Sequence, residues 1–443
     1  MNKALTFLIG LVLFYSCMGI QKIQTKNQEL VNLILKDTLM QKVEQMALEV
    51  VKGGFSAGDG YGEVWIRDYN TFIELAMEVM PDDKIQDNLL TFFRFQGATG
   101  DIVDGFIPVG QTTRGYKYRY SNLEPRYAAH KNTVETDQES SLIQAVGRYV
   151  KKSGNREFLN KVIDGKTVLD RLDFALNWLL NERFDKKHGL IWGATTADWG
   201  DVQPEHAWGV ELDENSHLSI DIYDNAFFII AINNYLDLQP DAQKRLAWTK
   251  VRDSILENTR KHLWDNEKQK FIPHLYLNGS PFPDDFDENA IYYHGGTAMA
   301  IEAGILSREE IEASNNAMLA NVKASGAQTI GLTLYPPYPE GFFKNEKMYP
   351  YGYQNGGDWT WFGGRMILQL MRNGFVQEAY DQFQPMLTRV VKNNGFYEWY
   401  ALDGTPSGSG SYRGDAGVLY SAIQEFKAWA ANIKNKGSDG RER

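Results

Sequence analysis

Apolar residues recur at helical spacing along most of this chain, and that period constrains the fold more than any other feature. In the stretch from Thr71 to Met80, Phe72, Leu75, Ala76 and Val79 share one face. Similar stripes cover about 28–51, 82–96, 135–152, 167–183, 219–238, 241–262, 295–305, 308–321, 360–374, 376–393 and 414–433, about a dozen helices. Gly154 and Gly374 follow two of them and suit left-handed C-caps, and Asp82 and Asp83 after Pro81 offer N-caps to a third. Between the helices lie turn-rich stretches at 53–65, 97–132, 189–216, 273–293, 325–357 and 394–414. Loops longer than about a dozen residues are uncommon unless they carry function. The period predicts a large all-α chain with long functional loops, and without a short repeat it does not read as a regular solenoid.

With 443 residues the chain has length for two average domains, but no Pro/Ser-rich linker or charge block divides it. One domain is expected over 28–433, followed by a polar tail at 434–443. A net charge of −11 argues against a nucleic-acid partner, which demands a basic face. At the N-terminus Lys3 precedes an apolar run from Ala4 to Tyr15, the length of a secretory signal and short for a membrane span. Ser16-Cys17-Met18-Gly19 follows, and Cys17 is the only cysteine. A small residue before that Cys resembles a bacterial lipoprotein lipobox, with Phe14 standing where Leu is usual. The expectation is a signal peptide over 1–17, lipidation of Cys17 and a tether over 18–27. That places the protein in the bacterial cell envelope, in the periplasm or at the outer membrane, or has it secreted if Cys17 is unmodified. Membrane contact is expected only through this anchor.

Four polar clusters flanked by aromatics carry the chemistry: Trp65-Ile-Arg67-Asp68, Asp198-Trp199-Gly-Asp201, Asn355-Gly-Gly-Asp358-Trp359-Thr-Trp361 and Phe396-Tyr-Glu398-Trp399-Tyr400. Carboxylates and Arg beside Trp and Tyr suit a pocket that hydrogen-bonds hydroxyls while stacking on the apolar face of a sugar. The alternative for any one cluster is a helix end whose Asp caps backbone N–H groups and whose Trp fills core. Taken together they point to an oligosaccharide or glycan substrate. Cleaving a glycosidic bond needs a carboxylic acid to protonate the leaving oxygen and a carboxylate to activate water or attack the anomeric carbon. Asp198 and Asp201 are both candidates for the acid, beside a Trp199 ring that can desolvate a carboxyl. Glu398 is the candidate base, and its structural alternative is an ion pair with Arg365 or Arg413. Arg67 and Asp68 form a donor and acceptor pair for vicinal hydroxyls, unless Asp68 merely caps the following helix. Trp65, Trp199, Trp359, Trp361 and Trp399 offer stacking surface, and Asp358 a further acceptor. Glu135, Asp137 and Glu139 cluster where a helix opens, so capping is their leading explanation.

These motifs, in this order over roughly 28–433, resemble the six-hairpin glycosidases, and within them the group of trehalases, processing α-glucosidases and glycogen-debranching enzymes. The resemblance implies an (α/α)6 toroid with active-site loops at one end and an exo-acting, inverting, α-glucosidase-like hydrolysis of terminal sugars. By position Glu398 matches the base of the Tyr-Glu-aromatic motif. The acid stays open: Thr195-Thr-Ala-Asp198-Trp is similar to a Ser-Gly-x-Asp-aromatic pattern and Trp199-Gly-Asp201 to a Trp-x-Asp version.

Seven His without compact ligand spacing give no metal site, and no cofactor is expected. Ser407-Gly-Ser-Gly-Ser411 lacks the Lys of a phosphate loop and suits close approach to a sugar or to facing backbone. Two other functions remain: a phosphorylase or lyase on the same barrel, for which Arg413 is a nearby candidate cation, and a non-catalytic glycan-binding lipoprotein.

Overall fold

The computed structural model describes residues 27–113 and 116–439, so the signal-like run, Cys17 and the end of the polar tail lie outside the described residues. The first helical stripe divides into α1 (27–36) and α2 (Thr38–Val51), because Asp37 turns extended and accepts the N–H groups of Leu39 and Met40 at 2.8 and 3.0 Å. There follow α3 (Ile66–Val79), α4 (Asp82–Arg94), α5 (Gln138–Ser153), α6 (Val168–Glu182), α7 (Ile222–Asp237), α8 (Ala242–Leu263), α9 (His294–Glu302), α10 (Arg308–Ser325), α11 (Thr360–Arg372), α12 (Val376–Lys392) and α13 (Arg413–Asp439).

Burial separates these helices into two layers. α11 is buried on all sides from Thr360 to Met371, and α7 along most of its length, whereas the long α8 buries only Trp248, Ile255, Thr259 and Leu263. A helix apolar all round belongs inside, and one with a single stripe belongs on the surface. Packing agrees: α3 lies against α5, α5 against α7, α7 against α9, α9 against α11, α11 against α13, and α13 returns to α3. This closed ring of six is wrapped by α2, α4, α6, α8, α10 and α12, and α2 and α12 touch each other. The expected (α/α)6 toroid is the observed fold. Each fully buried Phe or Ile of the ring, such as Phe227 or Ile229, contributes about 1.5–3 kcal/mol of burial.

Because one outer helix separates each inner helix from the next, the inner helices run in the same direction and their entry loops gather at one end. Those loops hold short antiparallel strands that periodicity did not reveal. Val64–Trp65, Gly105–Pro108 and Tyr127–His130 form a three-stranded sheet before α3 and α5, and Tyr397–Tyr400 pairs with Pro406–Gly410 before α13. Gly154 ends α5 in the left-handed conformation as expected. Asp82 and Asp83 do not cap α4; they sit inside its first turn, Pro81 occupies the cap, and Asp82 accepts from the Tyr149 hydroxyl at 2.9 Å.

Candidate active site

The entry loops enclose a cavity of about 590 Å³ at the N-terminal end of the ring, lined among others by Tyr61, Trp65, Arg67, Asp68, Asp104, Glu135, Trp199, Asp201, Tyr353, Trp359, Trp361, Glu398 and Tyr412. Its floor is aromatic. Trp199 meets Trp359 edge-on at 4.6 Å and lies 5.5 Å from Trp361, whose indole N–H is tied to Thr71 at 2.7 Å. Trp65 packs edge-on against His130 at 4.8 Å.

Glu398 stands on the first strand of the hairpin that precedes α13 and is 5 % exposed. It pairs with neither expected arginine. Arg365 donates to Thr71 and lies 3.7 Å from Glu302, and Arg413 donates to the Ser56 carbonyl and hydroxyl at 2.6 and 3.0 Å. Instead the Tyr61 hydroxyl donates to Oε1 at 2.9 Å and the Ser409 N–H to Oε2 at 2.8 Å. Burial pushes the Glu398 carboxyl up to about 7, those two donors pull it back, and the charges of Asp68 and Asp201 raise it further. The Gly-Ser loop lies directly on this carboxylate: Gly408 has φ +71°, and a Cβ there would come within 2.3 Å of Glu398 Oε2.

The two acid candidates part company. Asp198 adopts φ +57°, is 1 % exposed, and accepts the N–H groups of Gly295 and Gly296 at 2.8 and 2.9 Å, at the start of α9. A side chain on either glycine would collide with that carboxylate, which explains the Gly-Gly pair. Burial raises Asp198 to about 8, and it does not line the cavity. Asp201, three residues on, lines it and accepts from Gln354 Nε2 at 2.6 Å. It is carried by the loop entering α7, three places round the ring from α13, whose entry hairpin carries Glu398. The two carboxylates therefore come from opposite sides of the ring.

Arg67 and Asp68 both line the cavity, but not as a simple pair. Arg67 Nε donates to Asp137 Oδ2 at 2.6 Å, its guanidinium pairs with Glu135, and it lies 5.5 Å over the Trp199 ring. Asp68 accepts from the Tyr412 hydroxyl at 2.6 Å and caps no backbone group of α3, and burial raises it to about 6. The capping expectation for the other acids is corrected. Asp137 makes no side-chain cap bond and holds Arg67 and the Tyr223 hydroxyl, while Glu139 accepts from the Ile102 N–H and Lys131. Glu135 lines the cavity.

Two further expectations fail on geometry. Asp358 is 2 % exposed and spent on Arg389 at 2.8 Å and on the Thr329 hydroxyl at 2.7 Å, and Trp399 is 6 % exposed beneath Tyr353; neither lines the cavity. Sequence reasoning missed Tyr61, Asp104, Tyr353, Gln354 and Tyr412. Asp104, in Asp101-Ile-Val-Asp104-Gly, is raised to about 8 by burial and by the charges of Asp137 and Asp201, against the pull of Arg67. Among the described residues no group of three His, Cys, Asp or Glu side chains is arranged to hold a metal ion, and no helix is long and apolar enough to cross a membrane.

A six-helix toroid with an aromatic-floored, carboxylate-lined cavity at the end where its inner helices begin defines a glycosidase of the six-hairpin class, as the sequence motifs implied. The chain belongs to the glycosyl hydrolase 94 superfamily, whose catalytic-domain model matches residues 16–398. No curated protein matches it by sequence. Among solved structures it is similar to the GH63 mannosylglycerate hydrolase from Thermus thermophilus, in complex with Tris, at 16% identity and a TM-score of 0.63, covering 86% of this chain and 99% of that one. It is also similar to a rhamnosidase from Klebsiella oxytoca with rhamnose bound, at 11% identity and a TM-score of 0.57, covering 88% of this chain and 64% of that one. At such identities these structures speak for the fold, and the family match for glycoside hydrolase chemistry.

Proposed function

We propose that the protein is an exo-acting, inverting, α-glucosidase-like hydrolase that removes a terminal sugar from an oligosaccharide or glycan. Asp201 acts as general acid and Glu398 as general base. The observation that carries this reading is Glu398 itself: a buried carboxylate with no cation partner among the described residues, whose two oxygens are aimed by Tyr61 and Ser409 in one cavity with Asp201. The two donated hydrogen bonds favour the ionised, proton-accepting form and offset part of the effect of burial. In the reaction Glu398 takes a proton from water as its oxygen attacks the anomeric carbon. Asp201 gives its proton to the departing glycosidic oxygen on the other face, an arrangement that needs about 6.5–9.5 Å between carboxyls. Asp68 and Glu135 are placed to accept sugar hydroxyls, and the Trp199 floor supplies apolar surface.

Hydrolysis is favoured over phosphorolysis by how the two arginines near Glu398 are used. Arg413 turns to Ser56 and does not line the cavity, and Arg67 is held by Asp137 and Glu135, so neither is offered to a phosphate beside Glu398. The test is release of reducing sugar from a panel of α-glucosides and oligosaccharides in phosphate-free buffer, with the anomer of the first product followed by NMR. The β-anomer is expected from an α-linked substrate. Appearance of the α-anomer first refutes inversion, and a requirement for phosphate refutes hydrolysis.

A further inference from the structure

The cavity mouth carries a combination that the reaction at Glu398 does not use. Trp208 is 71 % exposed, while every other described tryptophan is buried or half-buried. A single exposed Trp needs no explanation by itself, but this one lines the cavity mouth, where an indole face offers stacking surface to a sugar ring. Its position is not that of a slack loop. The segment around it is fastened by Thr133 N–H to the Val210 carbonyl at 2.8 Å, by Leu212 N–H to Thr133 Oγ1 at 2.7 Å, and by Lys344 N–H to the Pro204 carbonyl at 3.0 Å. Lys347 reaches across so that Nζ lies 5.2 Å from the Trp208 ring centre and 6.0 Å from that of Tyr353. All three residues line the mouth or wall of the cavity. Lys347 is exposed and forms no ion pair with a carboxylate among the described residues.

Charge decides which part of a substrate belongs here. The cavity presents Asp68, Asp104, Glu135, Asp201 and Glu398, and its deep cation Arg67 is already shared between two acids. An anionic group on the terminal sugar would meet like charges at short range. At the mouth the balance reverses, because among the described residues Lys347 is a cation there without an acid of its own. We propose that Trp208 and Lys347 form a leaving-group subsite that stacks a sugar ring on the indole and receives an acidic substituent of that ring, such as a uronic carboxylate, at the lysine. The substrate class is then an oligosaccharide with a neutral terminal sugar and an acidic residue next to it. This rests on the glycosidase reading of the cavity.

The exposed indole provides a readout that does not need turnover. Acrylamide quenching of the full-length protein, with the Trp208→Ala signal subtracted, isolates Trp208. Glucuronate and glucose are then titrated as probes. Both should shield Trp208, with glucuronate effective at a concentration about two- to fivefold lower, the scale of one exposed ion pair. Lys347→Ala should make the two sugars equal. Both substitutions replace exposed side chains and should leave the fold intact, which circular dichroism verifies. No shielding by either sugar, or equal shielding in the wild-type protein, overturns the proposal. Glycoside cleavage measured on the same preparations separates the two claims. Shielding without cleavage of any glycoside refutes the glycosidase reading alone, and cleavage without shielding refutes the subsite alone.

Discussion

Replacing Tyr61 by Phe removes one of the two hydrogen bonds that Glu398 receives and leaves the ring in place against Trp65. Burial has already raised Glu398 to about 7, so its titration falls inside the range where enzymes are assayed. A hydrogen bond to a charged group is worth about 1.5–3 kcal/mol, and water in the cavity can replace part of it. A residual loss of about 1.4 kcal/mol corresponds to one pKa unit, upward, because the lost donor favoured the ionised form. A general base works only when ionised, so kcat/KM should fall as pH drops through about 7 in the wild type and through about 8 in Tyr61→Phe. At pH 6 about 9% of the wild-type base and about 1% of the variant's is ionised, an activity ratio of about ten, while near pH 9 the two should almost coincide. Melting temperature should barely change, since the phenyl ring keeps its packing. The assay is a kcat/KM profile from pH 5 to 9.5 on one α-glucoside. An unmoved acid limb refutes the role of Tyr61. Activity lost as pH rises through 7 would make Glu398 the acid, and the whole assignment would reverse.

Asp68→Asn should lower catalytic efficiency about 10- to 100-fold through loss of a charged hydrogen bond to substrate, with no loss of melting temperature because Asn still accepts from Tyr412. Asp198→Ala and Asp201→Asn should divide stability from chemistry. The first strands two buried N–H groups of α9 at about 1–3 kcal/mol each and keeps turnover per folded molecule, whereas the second abolishes turnover at unchanged stability. Kinetics and calorimetry on both variants decide it, and a stable but inactive Asp198→Ala would restore Asp198 as a catalyst. The pH dependence of stability has a definite sign. Asp68, Asp104, Asp198, Asp221 and Glu398 are raised by burial to between about 6 and about 8, so between about pH 4 and 8 the folded chain binds more protons than the unfolded one. Stability should therefore decline as pH rises through that window, and a melting temperature higher at pH 8 than at pH 5.5 would contradict it.

Helical spacing located nearly every helix because burial of one face repeats with the helical turn, as α12 and α2 illustrate. It missed the break at Asp37, since the apolar stripe runs on through the capped turn. Within the site, Glu398 was legible: an acid inside four aromatics has little chance of being a solvated charge. Asp198 and Asp201 were not separable, because three residues apart on a loop their directions depend on a left-handed φ at Asp198 that no pattern announces. Tyr61 sits in irregular chain and Asp104 in a bend just before a short strand, and such segments present no periodicity. Glu135 and Asp137 were misread because an acid near a helix start has a ready explanation in the helix dipole, and the partner that engages them, Arg67, lies about 70 residues away.

That misreading has a structural source. Each inner helix has a carboxylate at its N-terminal end: Asp68 on α3, Asp137 before α5, Asp221 before α7, Asp198 docked on α9, Asp358 just before α11 and Asp415 in the first turn of α13. Six parallel helices bring about half a positive charge each to the same end of the ring, which stabilises acids there. Of those six carboxylates only Asp68 lines the cavity. Asp137, Asp358 and Asp198 are consumed by Arg67, Arg389 and the backbone of α9, and Asp221 accepts the Asp224 N–H. Acid beside aromatic at a helix start is therefore mainly a mark of how the barrel is built. The proposed catalytic pair lies outside it, with Asp201 in a loop and Glu398 in a strand. The same positive ends offset part of the repulsion among the five carboxylates that face the cavity, and so allow a site this acidic to sit at the end of a folded ring with a single buried arginine.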